Sequence, residues 1–357
     1  MAGIFGALGF GDTDRVFAGT TGQSVVLDAI RTYLEQVNTD LDMALSIFVE
    51  GETEGYTERY KLPGGGRLRR RGPDGRYGAA KASGGWDVAF PLEDLGTELG
   101  GNDVELAYMT AGDMERHLST VAIQNANTIR FEVLKALFNE TNATFVDPLH
   151  GSLTIRRLAN TDTTSYPPVL GSESEADDDH YLESGYAATA ISDTNNPYIT
   201  IRNEIEEHFG AATGGENIVV FIHPDEEPET SDLTDFHPVP DMNIRTGVNT
   251  DVPINLPNVP GRILGRTNGC WVAEWRWIPT GYQLGIHAEV PAPLKKRVDP
   301  ADTGLGRGLQ LVVNEEIFPH QVAIYRHRLG FGVANRLNGV IMELGTGGTY
   351  TIPTIYQ

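Results

Sequence analysis

Large apolar side chains alternate with smaller or charged ones over residues 86–93: Trp86, Val88, Phe90 and Leu92 against Asp87, Ala89, Pro91 and Glu93. Upstream, Tyr56, Tyr60 and Leu62 are interleaved with Thr57, Arg59 and Lys61. Period two on both sides predicts two half-buried strands. The connector, PGGGRLRRRGPDGRYGAAKASGG, is dense in glycine and turn pairs and predicts a tip between them. Residues 44–93 therefore read as a long hairpin. Arms of roughly 15 to 20 residues, at about 3.3 Å per residue, would reach about 50 to 65 Å. An isolated two-stranded ribbon is marginal in water, so this one is expected to lie on something else, a second molecule included.

The period then changes. Met114, Leu118, Val121, Asn125 and Ile129, continued by Val133, Leu134, Leu137 and Phe138, follow i, i+3/i+4 spacing and predict a helix over 112–141. Thr110 and Asp113 stand at capping-box spacing before it, and Pro148 halts the pattern beyond its end. A helix of about thirty residues is a rod of about 45 Å, more than twice the usual length. Beyond residue 160 the elements shorten: a helix at 197–209, a buried strand at 217–223, and a proline-dense passage at 238–260. Residues 271–277 and 282–289, joined by Pro279-Thr280-Gly281, read as a hairpin. Apolar strands at 308–313, 321–328 and 338–344 close an α+β pattern without internal repeats.

Charge sharpens this picture. The chain has 357 residues and a net charge of −22. Residues 58–81 carry eight basic side chains against two acidic ones, about +6, leaving about −28 on the remainder. Acids cluster at 171–183 and 223–241, where solvated loops are expected. A chain this acidic is repelled by nucleic acid at long range, which disfavours a sequence-reading DNA-binding domain. No apolar run approaches the ~18 to 20 residues of a membrane span. The N-terminus lacks a basic region before its short apolar stretch, so no secretory signal is expected. A single cysteine, Cys270, excludes an internal disulfide framework and a cysteine-rich zinc site.

Catalytic patterns are sparse. The sequence has no GxSxG, and Cys270 sits in an aromatic strand without a nearby histidine, as a packed core thiol would. The glycine runs Gly6–Gly11 and Gly304–Gly308 do not join a strand to a helix, and Gly19-Thr-Thr-Gly22 lacks a phosphate-loop lysine. His223 with Asp225, Glu226 and Glu227 is the best candidate for a hard cation, but its spacing matches no ligand series. His287, His320 and His327 stand in strand-like contexts that suit structural histidines. No catalytic, cofactor-binding or metal-ligating residue is assigned, and no enzyme is expected.

The order of features is distinctive: N-terminal arm, basic-tipped hairpin, long helix, acidic insertion, returning strands. In that order the chain resembles the major capsid proteins of tailed bacteriophages, the Johnson fold. Ile324-Tyr-Arg-His-Arg-Leu-Gly-Phe-Gly-Val-Ala-Asn-Arg336, followed by Leu-Asn-Gly-Val-Ile-Met-Glu343, is similar to that family's final strands. The resemblance implies an arm at 1–43, an extended loop at 44–93, and a peripheral domain at 94–159 containing the spine helix. It further implies an axial domain at 160–305 and peripheral return strands at 306–357. It implies self-assembly into hexamers and pentamers that enclose double-stranded DNA without reading its sequence, in a virion capsid assembled in the host cytoplasm. It leaves room for a separate scaffold, cement or portal protein, and gives no membrane role.

Arg67, Arg69, Arg70, Arg71 and Arg76 are the expected contact between subunits: a basic tip suits an acidic neighbour under symmetry. Residues 1–43 leave little room for the long scaffolding segment that many relatives remove, and with Met1 present no removal is expected. Some relatives join a loop lysine to an asparagine under a glutamate. Lys61 or Lys81, Asn335 or Asn338, and Glu343 are the residues such a link would use, but no motif fixes the pair. Two other readings remain: an encapsulin-like cellular compartment, and a soluble acidic metal- or ligand-binding protein or hydrolase using 223–241. Protein cargo would mark the first, and a chelator-sensitive small oligomer the second.

Overall fold

The computed structural model describes residues 23–61, 68, 70–73, 85–102, 110–166, 175–176, 178–213, 217–239, 259–317 and 320–357. The principal helices are α1 (Gln23–Ala44), α2 (Ala111–Phe138) and α3 (Pro197–Thr213). The strands begin with β1 (Val49–Thr53), β2 (Thr57–Tyr60), β3 (Trp86–Ala89), β4 (Glu93–Asn102), β5 (Ala143–Asp147) and β6 (Gly151–Ile155). Next come β7 (Ser165–Tyr166), β8 (Glu175–Ala176), β9 (Tyr181–Glu183), β10 (Ile218–Ile222), β11 (His237–Pro238) and β12 (Arg262–Thr267). The chain closes with β13 (Cys270–Glu274), β14 (Tyr282–His287), β15 (Leu294–Arg297), β16 (Gln310–Ile317), β17 (His320–Val333) and β18 (Val340–Glu343). It forms two compact units.

The first unit draws on Met1–Met43, Pro91–Glu132 and Arg297–Gly330. In it β17 runs antiparallel to β16 on one side and to β4 on the other. Ile30 and Leu34 of α1 pack with Leu118 and Val121 of α2 and with Leu309 and Tyr325. Expected only as an arm, residues 23–44 are helical because Ile30, Leu34 and Leu41, spaced by a turn or two, bury one face. Asn38 of α1 holds both backbone polar groups of Leu309: its Oδ1 accepts from Leu309 N and its Nδ2 donates to Leu309 O.

The second unit draws on Ala44–Phe90, Val133–Lys296 and Phe331–Gln357. Its main sheet has the order β11-β12-β13-β10-β14-β18-β9. All five residues of β10 are buried, as its unbroken apolar sequence requires of a central strand. α3 presents Ile201 and Ile205 to this sheet, where a side chain in place of Gly285 would collide with Ile201.

The expected 271–289 hairpin does not exist. β13 and β14 are separated by β10, parallel to the first and antiparallel to the second. The link from Trp275 to Gly281 steps across one strand, and its start is pinned by Trp275 N donating to Ile222 O. The basic-tipped hairpin is real but short among the described residues. Its ladder runs only from Thr57↔Ala89 to Tyr60↔Trp86. β1 lies beside β15 rather than extending the ribbon, and Pro91 has no N–H to continue it. Of the last strands, β16 and most of β17 belong to the first unit and β18 to the second.

Candidate functional site

The basic loop and the residues that fix its roots form the candidate site. Of the expected contact residues, Arg70 and Arg71 are exposed, whereas Arg67, Arg69 and Arg76 lie outside the described residues. Both roots are anchored within the second unit. Trp86, Val88 and Phe90 share a buried cluster with Ala159, Tyr166, Ala334 and Leu337. Trp86 also donates its Nε1–H to Ala334 O at 2.9 Å, and Phe90 N donates to Tyr56 O at 2.9 Å.

On the other strand Glu58 accepts from Lys295 Nζ at 2.9 Å and from the Thr53 hydroxyl. Partial burial pushes the Glu58 carboxyl up, but these two hydrogen bonds and the Lys295 charge outweigh it and hold it below its usual value. Lys295 also lies 5.9 Å from the Tyr60 ring centre, and Lys296 reaches Glu52 at 3.0 Å. The lysines of β15 thus neutralise the acids that precede the basic tip.

The turn Ala334-Asn335-Arg336 of the closing segment supplies the other anchor. Arg336 is fully buried and uses each of its guanidinium nitrogens. Nε donates to Arg157 O, and Nη2 to Leu158 O at 3.0 Å and Asn160 Oδ1 at 2.8 Å. Nη1 meets Asp162 Oδ2 at 3.0 Å, and the guanidinium lies 5.5 Å from the Tyr166 ring centre. A planar donor fork satisfies this many acceptors at once, which an ammonium could not. Although Arg336 belongs to the segment carrying the capsid resemblance, its burial and anchoring role were not read from the sequence.

Other candidates divide. Cys270 is buried, and burial pushes its thiol up to about 12, far from a reactive thiolate. The 223–227 residues do not converge. His223 Nδ1 lies 3.2 Å from Asp225, Glu227 turns to Arg262, and Glu226 is buried with Gly281 N and Gln283 Nε2 donating to it. Glu226, and Asp178 from the other acidic stretch, are therefore core residues rather than solvated loop charges.

Asn335 and Asn338 are also fully buried. Both donate to Pro291 O, at 2.8 and 2.9 Å, and Asn338 Oδ1 accepts from His287 N. Glu343 accepts from Thr351 N at 2.6 Å and Lys61 is exposed; Lys81 lies outside the described residues. Asn335 and Asn338 thus serve packing within the chain. His327 Nδ1 meets Asn125 Oδ1 at 2.8 Å inside the first unit, as a structural histidine does.

No protein-family profile and no curated protein matches the sequence. The fold does match. A structure from Mycobacterium phage Patience superposes with a TM-score of 0.68 at 16% identity, over 97% of this chain and 95% of that one. The capsid of Cyanophage P-SCSP1u superposes with a TM-score of 0.51 at 10% identity, over 84% of this chain and 87% of that one. The architecture of this chain is therefore the phage-capsid, or Johnson, fold.

Proposed function

We propose that this protein is the structural subunit of an icosahedral virus shell, joining copies of itself into pentamers and hexamers around packaged double-stranded DNA. The observation that carries the reading is the likeness of the whole chain to a phage structure, with nearly full coverage on both sides. Charge supports it. A basic loop with Arg70 and Arg71 exposed is carried by an otherwise acidic subunit, so one copy offers what another attracts. In this reading 44–93 is the extended loop that crosses a neighbour, with Arg67, Arg69, Arg70, Arg71 and Arg76 at the contact. Residues 160–305 gather around the five- and six-fold axes, and 94–159 with 306–357 form the periphery. The role is structural rather than catalytic, assembly takes place in the host cytoplasm, and a scaffold, cement or portal protein would act on the assembled surfaces. Negative-stain microscopy of the purified protein tests the reading. Closed shells, or rings of five and six, are expected; small monodisperse particles would overturn it.

A further inference from the structure

Asp178 and His180, two residues apart, meet His208, thirty positions beyond Asp178, in the core of the second unit. Asp178 and His180 precede β9, while His208 lies on α3. Their exposures are 7%, 0% and 8%. His180 Nε2 and His208 Nε2 each stand 3.1 Å from the same oxygen, Asp178 Oδ2. The three ligand-type atoms all lie within 4.8 Å of one another.

The tautomer of His180 is decided on its far side. Its Nδ1 is 2.7 Å from the carbonyl of Gly339, which can only accept. Nδ1 therefore carries the hydrogen, and in the neutral ring Nε2 is bare. Nε2 makes no hydrogen bond of acceptable geometry, yet it faces a carboxylate oxygen in a fully buried position. Two lone pairs opposed in a dry interior repel unless a proton or a metal cation stands between them. A backbone carbonyl orienting one ring nitrogen while the other is aimed inward is the outer support that metal-binding histidines ordinarily have. His208 Nδ1 is buried without a partner, so that ring is held through Nε2.

We propose that Asp178, His180 and His208 bind a divalent transition-metal cation of the zinc class. With metal–ligand bonds of about 2.0 to 2.1 Å, the edge of a tetrahedron is about 3.3 Å, close to the two observed separations. Two imidazoles and one carboxylate select such an ion over calcium or magnesium, which prefer oxygen shells. Glu204, one turn before His208 on α3, acts electrostatically on His180 and adds a second negative charge beside a divalent ion. With a water in the fourth position, the cation would clip the strand at the edge of the main sheet to the helix that covers it. The site belongs to the single subunit and stands whether or not the chain forms shells.

The full chain, purified without added metal and dialysed against chelator, is assayed by elemental mass spectrometry. It is then unfolded with chelator and refolded with zinc, with cobalt(II), or with chelator alone. One equivalent of tightly held metal, a tetrahedral cobalt absorption, and a melting temperature several degrees lower without metal are expected. His208→Gln and Asp178→Asn should each abolish the cobalt absorption and leave a melting temperature indifferent to chelator. If either variant fails to fold, the wild-type metal content and cobalt spectrum decide alone. Absence of metal from both preparations of the wild-type chain would overturn the proposal and leave a proton as the occupant. Unchanged uptake in folded variants would also overturn it, pointing to surface histidines such as His223 and His237.

Discussion

At the scale of single residues, the buried polar groups carry the sharpest consequences. Burial pushes the Glu226 carboxyl up to about 8. The folded chain therefore holds a proton that the unfolded chain releases near the ordinary carboxyl value. Its contribution to stability is complete below that ordinary value and is lost as pH rises through about 8. Glu226→Gln keeps the shape and cannot ionise. Its melting temperature should equal the wild type's below the ordinary carboxyl value, draw ahead as pH rises, and hold its full lead above about pH 8, read from melts across that range. Arg336 is the opposite case, a buried charge whose partners are all in place. Arg336→Ala strands Asp162 and several carbonyls and should cost about 3 to 5 kcal/mol in denaturant unfolding. Arg336→Lys should recover only part of this, because one ammonium cannot span Leu158 O, Asn160 and Asp162 together.

Among the elements, α2 was the most legible. The expected capping box is there in both directions: Asp113 N donates to Thr110 Oγ1, and Thr110 N to Asp113 Oδ2. The expected face is buried at Leu118, Val121, Leu134 and Leu137. Its end came early because Asn139 Oδ1 accepts from Thr141 N and turns the chain, well before Pro148. Thr110→Ala should cost about 1 kcal/mol, and Leu118→Ala or Leu134→Ala about 2 to 5 kcal/mol. Leu118 packs within the first unit and Leu134 belongs to the second. Hydrogen exchange should therefore show protection lost mainly in α1, β16 and β17 for one variant, and mainly in the second unit's sheet for the other.

What escaped the sequence was non-local. The turn at Pro279–Gly281 promises a hairpin, and only the distant strand Ile218–Ile222 shows that β13 and β14 are held apart. The α1 face is diluted by Thr32, Asn38, Thr39 and Gln36, so its stripe is narrow. His208 is thirty positions from Asp178, a spacing that no local pattern marks. The acidic stretches were read as uniform because composition does not distinguish one inward carboxylate among many outward ones.

For the molecule as a whole, the shell reading makes a charge prediction. An exposed ion pair contributes only ~0.2 to 1 kcal/mol, so a single substitution at the loop tip should be tolerated. Changing Arg67, Arg69, Arg70 and Arg71 together to Glu reverses the tip. The variant subunit should melt as the wild type does yet fail to close into shells under the microscope. Salt should weaken wild-type assembly in the same direction, since screening acts on the same attraction. Normal shells from the variant at low ionic strength would show that the tip makes no contact between subunits.

The place of β18 in the second unit's sheet has a further consequence, for synthesis. β14 and β9 are neighbours only through Val340–Glu343, which pairs with both. Until Val340–Glu343 leaves the ribosome, β14 has an open edge and β9 has no partner in the sheet. A growing chain therefore cannot complete this unit, and pairings so distant in sequence form slowly. In the shell reading, subunits would not join one another before β18 has been made, so synthesis of that strand acts as the timer that separates making subunits from using them.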